Sequence, residues 1–330
     1  MITIPTTLVL GAGASSPYLY PLGYELRREL QQPAYLSELV TVLGHPDWLV
    51  DSFCKQFKLS QKMSIDEFLS SRGEDQVSDQ YSVKFEEIGK QAIALRLIQR
   101  ELPENLVEEV KNQDHWYRYL WNVIGRSLDG FENSKLKIIT FNYDRSLEYY
   151  LLNALQHSFG LNVSDAAEYL KKIQILHVYG SLGGLPELAV GSTSSRDYRA
   201  KVNAQNIQIA AKSIRVIAES RDDDDVFSNA FRWLQSSKRI CFLGFGFDET
   251  NVRRLRISQL SAKSTAGLEM FATTIGMEDA ERDRVIDMLR LIKDGRAYAK
   301  DSVVNNIRLY SNSLCEKYLR ATGALYNPST

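Results

Sequence analysis

The sequence predicts an α/β fold: a doubly wound parallel sheet of about six strands carrying a large all-helical insertion. Three observations predict it. Short apolar runs of strand type recur along the chain, helix-patterned segments separate them, and the strongest runs end on glycine or polar residues.

The first run, Thr6-Thr7-Leu8-Val9-Leu10, stops at Gly11-Ala12-Gly13-Ala14-Ser15, as a buried parallel strand does on entering a phosphate-type loop. A helix is expected from about Leu22. From there to about Gly130 the spacing is helical throughout, as in Phe85, Ile88, Ala92 and Leu95 and in the segment Trp116 to Ile124. Strand patterns then return at Leu136 to Phe141, Ile173 to Val178 and Arg239 to Gly244, with two further runs at Leu268 to Ala272 and Asn306 to Tyr310. Between them lie helical patterns such as Asp144 to Gln156 and Phe227 to Gln235. We therefore expect one domain over 1–330, with a core formed by 1–23 and 131–330 and a helical insertion at 24–130. The aromatic residues Trp116, Tyr117, Tyr119 and Trp121 fit a core-facing helix better than an interface. Asp222-Asp223-Asp224-Asp225 precedes a periodic helix, where carboxylates suit a cap better than a metal. The polar stretch Gly191 to Arg196 reads as a passive connection rather than a lid.

Composition narrows the function classes. Lys and Arg number 40 against 41 Asp and Glu, so no global field draws the chain to nucleic acid or an anionic membrane. No apolar run is long enough to span a bilayer, and the first residues lack a cationic segment followed by a long apolar one, so a cytoplasmic protein is expected. Cys54, Cys241 and Cys315 are too scattered for a disulfide framework or a paired zinc site and read as buried thiols. His45, His115, His157 and His177 form no close ligand pair, so no metal is expected.

In a doubly wound sheet, ligands bind beyond the carboxyl ends of the strands, near the point where the strand order reverses. Four loops at such ends are chemically loaded. Gly11-Ala12-Gly13-Ala14-Ser15 lets backbone approach a diphosphate, although it has neither the third glycine of a dinucleotide fingerprint nor a following Gly-Lys-Ser/Thr. A tight structural turn is its other reading. Thr140-Phe141-Asn142-Tyr143-Asp144 presents a carboxamide and a carboxylate two residues apart, able to hold a ribose hydroxyl, an amide or a water, or to cap the next helix. His177-Val178-Tyr179-Gly180-Ser181 offers an imidazole, a phenol and a hydroxyl. Gly244-Phe245-Gly246-Phe247-Asp248 pairs glycines with a carboxylate, for a nucleotide or a capped turn.

Taken together, these loops resemble those of the Sir2-like family, whose fold is a Rossmann-like NAD-binding sheet, and more closely its bacterial antiphage-defence branch. Gly11 to Ser15 with Pro21 and Gly23 looks like the family's GAGxS loop, Thr140-x-Asn142-x-Asp144 like TxNxD, Gly180-Ser181-Leu182 like HGS, and Gly244-x-Gly246-x-Asp248 like the late nucleotide loop. Ser64-Ile65-Asp66-Glu67-Phe68-Leu69 is similar to a segment of that branch, with no chemistry assigned to it.

The resemblance implies NAD+ as substrate, with Ala12, Gly13 and Ser15 at the pyrophosphate, Asn142 orienting the nicotinamide ribose and a water, and Asp144 holding the carboxamide. It also extends the binding set to Gly11, Ala14, Thr140, Tyr179, Gly180, Ser181, Gly244, Gly246 and Asp248. Tyr179 stands where the family has its basic histidine, and His177 lies two residues earlier. In a regular strand both point to one side, and His177 is the expected base because an imidazole titrates near neutral pH while a phenol has a pKa of about 10. Three cysteines cannot build the four-cysteine zinc module of the deacylases, which leaves hydrolysis of NAD+ to nicotinamide and ADP-ribose. The expectation is thus an NADase effector of antiviral, abortive-infection type, kept silent by a partner chain encoded nearby or by homo- or hetero-oligomer assembly. Its alternatives are a non-catalytic NAD- or ADP-ribose-binding module and an ADP-ribosyl transferase.

Overall fold

A computed structural model describes all residues except 74–81, 108–113, 190–192, 217–224, 261–266, 291, 294–295, 298–306, 312–313 and 327–330. Six strands form one sheet: β1 (Thr6–Leu10), β2 (Leu136–Thr140), β3 (Gln174–His177), β4 (Arg239–Leu243), β5 (Glu269–Thr273) and β8 (Ile307–Tyr310). Their order is β3-β2-β1-β4-β5-β8 and every pairing is parallel. A two-stranded antiparallel pair, β6 (Ile292–Lys293) with β7 (Arg296–Ala297), stands apart. The sheet bears out the Rossmann-like α/β expectation of six strands.

Alternation along the strands feeds two apolar layers. Leu8, Leu10, Ile138, Cys241, Leu243 and Phe271 face one core. Val9, Ile139, Ile240, Phe242, Met270 and Ala272 face the other. All five residues of β1 are buried, as a central parallel strand covered on both faces requires.

Between β1 and β2 the described residues form only helices and turns. After the short α1 (Ala12–Ser15) come α2 (Gly23–Leu30), α3 (Ser37–Thr41), α4 (Asp47–Leu59), α5 (Ile65–Gly73), α6 (Ser82–Ile98), α7 (Trp116–Ile124) and α8 (Leu128–Glu132). They share the first core with α9 (Ser146–Phe159), α10 (Val163–Leu170) and α11 (Ala204–Ser213). The second core is closed by α12 (Asp225–Gln235), α13 (Glu249–Leu255) and α14 (Asp279–Leu289).

Trp116, Tyr117 and Tyr119 of α7 are buried, with Trp121 packed against the same core, as their helical spacing suggested. The three cysteines are buried free thiols. Asp225 opens α12, whereas Asp222, Asp223 and Asp224 lie outside the described residues. Gly191 and Ser192 of the polar stretch lie outside them too, while backbone hydrogen bonds tie Ser194 and Arg196 to Gly184. No helix among the described residues is long and apolar enough to cross a membrane.

Candidate nucleotide site at the strand ends

Because β1, β2, β3 and β4 run in parallel, their carboxyl ends carry all four loops to one edge of the sheet. The order reverses between β1 and β4, so Gly11 to Ser15 and Gly244 to Asp248 flank the switch point.

These two loops meet backbone to backbone. Gly11 N donates to Leu243 O at 3.1 Å and Gly13 N to Gly244 O at 2.9 Å. A methyl group on Gly13 would sit 2.7 Å from the Gly244 Cα. Gly244 itself has φ of +57°, and a Cβ there would lie 2.1 Å from Ala14 N. The close approach that these glycines permit is therefore between two segments of the protein, and Gly13 N points at a carbonyl. Gly246 differs, since it is exposed and a side chain there would meet nothing within 4 Å. Thr273 Oγ1 steadies the β4 loop by accepting from Gly244 N at 2.8 Å.

The β1 and β2 loops are joined by side chains. Asn142 Nδ2 donates to Gly11 O at 2.9 Å and to Ser15 Oγ at 3.0 Å. Ser15 Oγ donates to Asp144 Oδ2 at 2.7 Å, and Asp144 Oδ1 accepts from the backbone N and the hydroxyl of Ser146. Asp144 thus takes the helix-capping part that its position at a strand-to-helix junction allows, at the start of α9. Burial pushes its carboxyl above the ordinary range, with the bonds from Ser146 and Ser15 opposing. Thr140 Oγ1 accepts from Asn142 N and shapes the turn. From the helical region, Trp116 Nε1 donates to Ala14 O and the Tyr117 hydroxyl lies 2.7 Å from Ser146 Oγ. Both amide hydrogens of Asn142 are engaged, and Oδ1 is the part of its carboxamide left to accept. Ala12, Gly13 and Asn142 remain half-exposed beside this network.

His177 lies at the last position of β3. Its Nδ1 is 2.9 Å from Asn142 O, a carbonyl that can only accept, and its Nε2 is 2.6 Å from Glu148 Oε1. Burial works against charge on both partners, yet their mutual attraction overrides it, raising the imidazole pKa and lowering that of the Glu148 carboxyl. Both ring nitrogens are thus engaged, and the pairing with Glu148 favours the protonated ring.

The expectation that His177 and Tyr179 share a side holds only for a regular strand, and β3 ends at His177. Tyr179 packs instead into the second core, edge-on to Phe141 and Phe227. Its hydroxyl donates to Asn251 Oδ1 at 2.6 Å and accepts from Arg254 at 2.9 Å. Burial pushes the phenol up to about 12, with Arg254 opposing. Gly180 forms an isolated bridge with Ile214, and Ser181 Oγ makes a long contact to Gly183 O at 3.4 Å. Asp248, exposed, caps α13 through Asn251 N.

A buried ionic cluster lies behind the β2 loop. Arg145, next to Asp144, makes hydrogen bonds to both carboxylate oxygens of Glu101 and to the carbonyls of Gly183, Gly184, Arg196 and Asp197. Arg196 completes it, 2.7 Å from Glu101 Oε2 and bonded to Leu182 O. The cluster fastens the helical region to the β2 and β3 loops. Sequence reading singled out none of Glu101, Arg145, Glu148, Asn251 and Arg254, and took Tyr117 only for a core residue. Only Glu148, an acid in the first turn of a helix, bore a recognisable local signal, and that signal pointed to a cap.

Among the described residues no group of three or more His, Cys, Asp or Glu could hold a metal. No curated protein matches the chain. The family model of the SIR2-like domain matches residues 136–290, from β2 into the segment just after α14, taking in the β2, β3 and β4 loops but not Gly11 to Ser15. That match supports the resemblance to the Sir2-like family and, with it, an NAD-related activity in general.

Proposed function

We propose that the chain hydrolyses NAD+ to nicotinamide and ADP-ribose at the edge formed by the β1, β2 and β4 loops. The observation that carries this reading is Asn142, whose carboxamide is pinned by Gly11 and Ser15 beside the switch point with Oδ1 left as an acceptor. An acceptor there can hold a ribose hydroxyl or the attacking water. The nicotinamide of NAD+ leaves as a neutral molecule from a cationic ring, through an oxocarbenium-like state, so positioning and electrostatics supply most of the catalysis and little acid help is needed. Water then adds to the sugar carbon and releases one proton.

Within this reading His177 is a positioning residue: bonded to the Asn142 carbonyl and to Glu148, it holds the β2 loop in register. Asp144 acts in the same way through Ser15, and the exposed Gly246 leaves room for the nucleotide. The diphosphate would lie along Ala12 and Gly13. The antiphage role, and control by a partner chain or by assembly, follow from the resemblance to the defence branch.

The test is NAD+ content and survival of cells on induced expression, with nicotinamide and ADP-ribose measured on purified protein. Wild type should deplete NAD+, and Asn142→Ala should lower the rate at least about a hundredfold, a loss typical of a group that orients reactants. A second reading has its own support, since both nitrogens of His177 are engaged and Tyr179 is buried at high pKa. It is a module that binds NAD+ or ADP-ribose without cleaving it, and binding with no turnover in any condition would select it.

A further inference from the structure

A second cleft, of about 400 Å³, lies between the turn Pro103–Leu106, α7 and α9. Trp121, Tyr149 and Tyr150 line it with aromatic rings, and Glu104, Asn153, His157 and Ser158 add polar groups. Among the described residues no lysine or arginine lines it. We propose that this cleft binds an uncharged or cationic planar heteroaromatic molecule of nucleoside size.

The volume falls within the range of about 300–1,000 Å³ typical of small-molecule pockets. Aromatic faces stack on flat rings and attract positive charge, favouring a nitrogen heterocycle over an aliphatic ligand. Asn153 Nδ2 already donates to Tyr149 O at 2.7 Å, which leaves its Oδ1 to accept from an amino or amide group. The Glu104 carboxylate, with no guanidinium or ammonium among the described lining residues, repels phosphate. This chemistry separates the occupant from NAD+ itself, whose diphosphate meets no counter-charge among the described lining residues.

The cleft is mechanically close to the strand-end network. Helix α9 presents Tyr149 and Tyr150 to the cleft and carries Ser146 and Glu148 in its first turn. Tyr149 stacks on Tyr198 with ring centroids 4.2 Å apart. The Tyr150 ring is 5.6 Å from that of Tyr117, whose hydroxyl meets Ser146 Oγ. An occupant therefore touches Tyr150, three contacts from Asp144. Any effect on turnover rests on the hydrolase reading, whereas binding does not.

Adenosine serves as the probe, with saturation-transfer NMR and equilibrium dialysis on the purified full chain. The expected result is saturable binding near ~0.1 mM, the range that ligand efficiency allows for a molecule this size. AMP should bind at least about tenfold more weakly. Ala154→Phe fills the cleft from a half-buried position and should weaken adenosine at least about tenfold. Ser158→Trp, at an exposed position on the rim, gives the same test should Ala154→Phe fail to fold. Absence of saturable binding overturns the proposal, as does binding that survives both substitutions, which would place adenosine at the strand ends. A chain that binds adenosine as expected yet never cleaves NAD+ would refute the hydrolase reading and leave this one standing.

Discussion

The two halves of the strand-end edge are built on different chemistry. On the β1/β2 side, Ser15, Asn142, Asp144, Ser146 and His177 form a chain of hydrogen bonds in which nearly every donor is engaged. On the β4 side, Phe245 and Phe247 are buried in the second core against Phe141, Phe242 and each other, and the glycine backbone packs directly on the β1 loop. One half is held by directional bonds that set the orientation of a carboxamide, the other by shape. Losing a hydrogen-bond partner should misorient the site at modest cost to stability, whereas adding volume should disrupt the fold itself.

The largest effect is expected behind the polar half. Arg145→Met removes a guanidinium that is 2% exposed and leaves the Glu101 carboxylate buried with Arg196 alone. Urea unfolding should show a loss of about 3–5 kcal/mol. A loss under about 1 kcal/mol would mean that the cluster is a passenger.

On the glycine side, Gly244→Ala should cost about 3 kcal/mol through its left-handed backbone and the contact with Gly13 and Ala14, while Gly246→Ala should stay within about 0.5 kcal/mol. If both behave alike in thermal unfolding, the loops do not pack as described. The open space at Gly246 also predicts that a larger residue there weakens NAD+ binding while leaving stability unchanged.

The His177–Glu148 pair sharpens the comparison through pH. The raised imidazole pKa contributes stability that is present below its ordinary 6.5 and fades as pH rises through the raised value. The lowered carboxyl pKa contributes stability that is present above its ordinary 4.5 and fades as pH falls through the lowered value. The contribution of the pair is therefore greatest between 4.5 and 6.5. Glu148→Gln should flatten both flanks of a stability-against-pH curve, and an unchanged alkaline flank would refute the raised imidazole pKa.

The smallest effect is expected at Tyr179. Tyr179→Phe keeps the ring among Phe141 and Phe227 and loses the bonds to Asn251 and Arg254, at about 1 kcal/mol by urea unfolding. Its rate should stay within about threefold of wild type, because a phenol near 12 does not ionise at neutral pH. A large drop in turnover would return Tyr179 to the reacting centre.

Much of this architecture was legible in the chain. Runs such as Leu8-Val9-Leu10 and Ile138-Ile139 bear the mark of strands buried on both faces, and a parallel sheet necessarily carries the loops after them to one edge. The four loops were therefore readable as a set, and Asn142 among them. What local pattern could not supply was the partner of each polar group. His177 and Tyr179 are two residues apart, yet the strand stops between them, and His177 bonds Asn142 and Glu148 while Tyr179 enters the second core.

The sequence by itself determined the strands, the helical stretch after the first of them and the chemical character of each strand end, because periodicity and glycine placement act over a few residues. Only the tertiary structure decided that Gly13 faces Gly244, that Ser15 bridges Asn142 and Asp144, that Glu101 receives Arg145 from 44 positions away, and that His177 has no free nitrogen. Those pairings join segments far apart in the chain, and a buried charge or donor takes whichever partner the packing brings within reach.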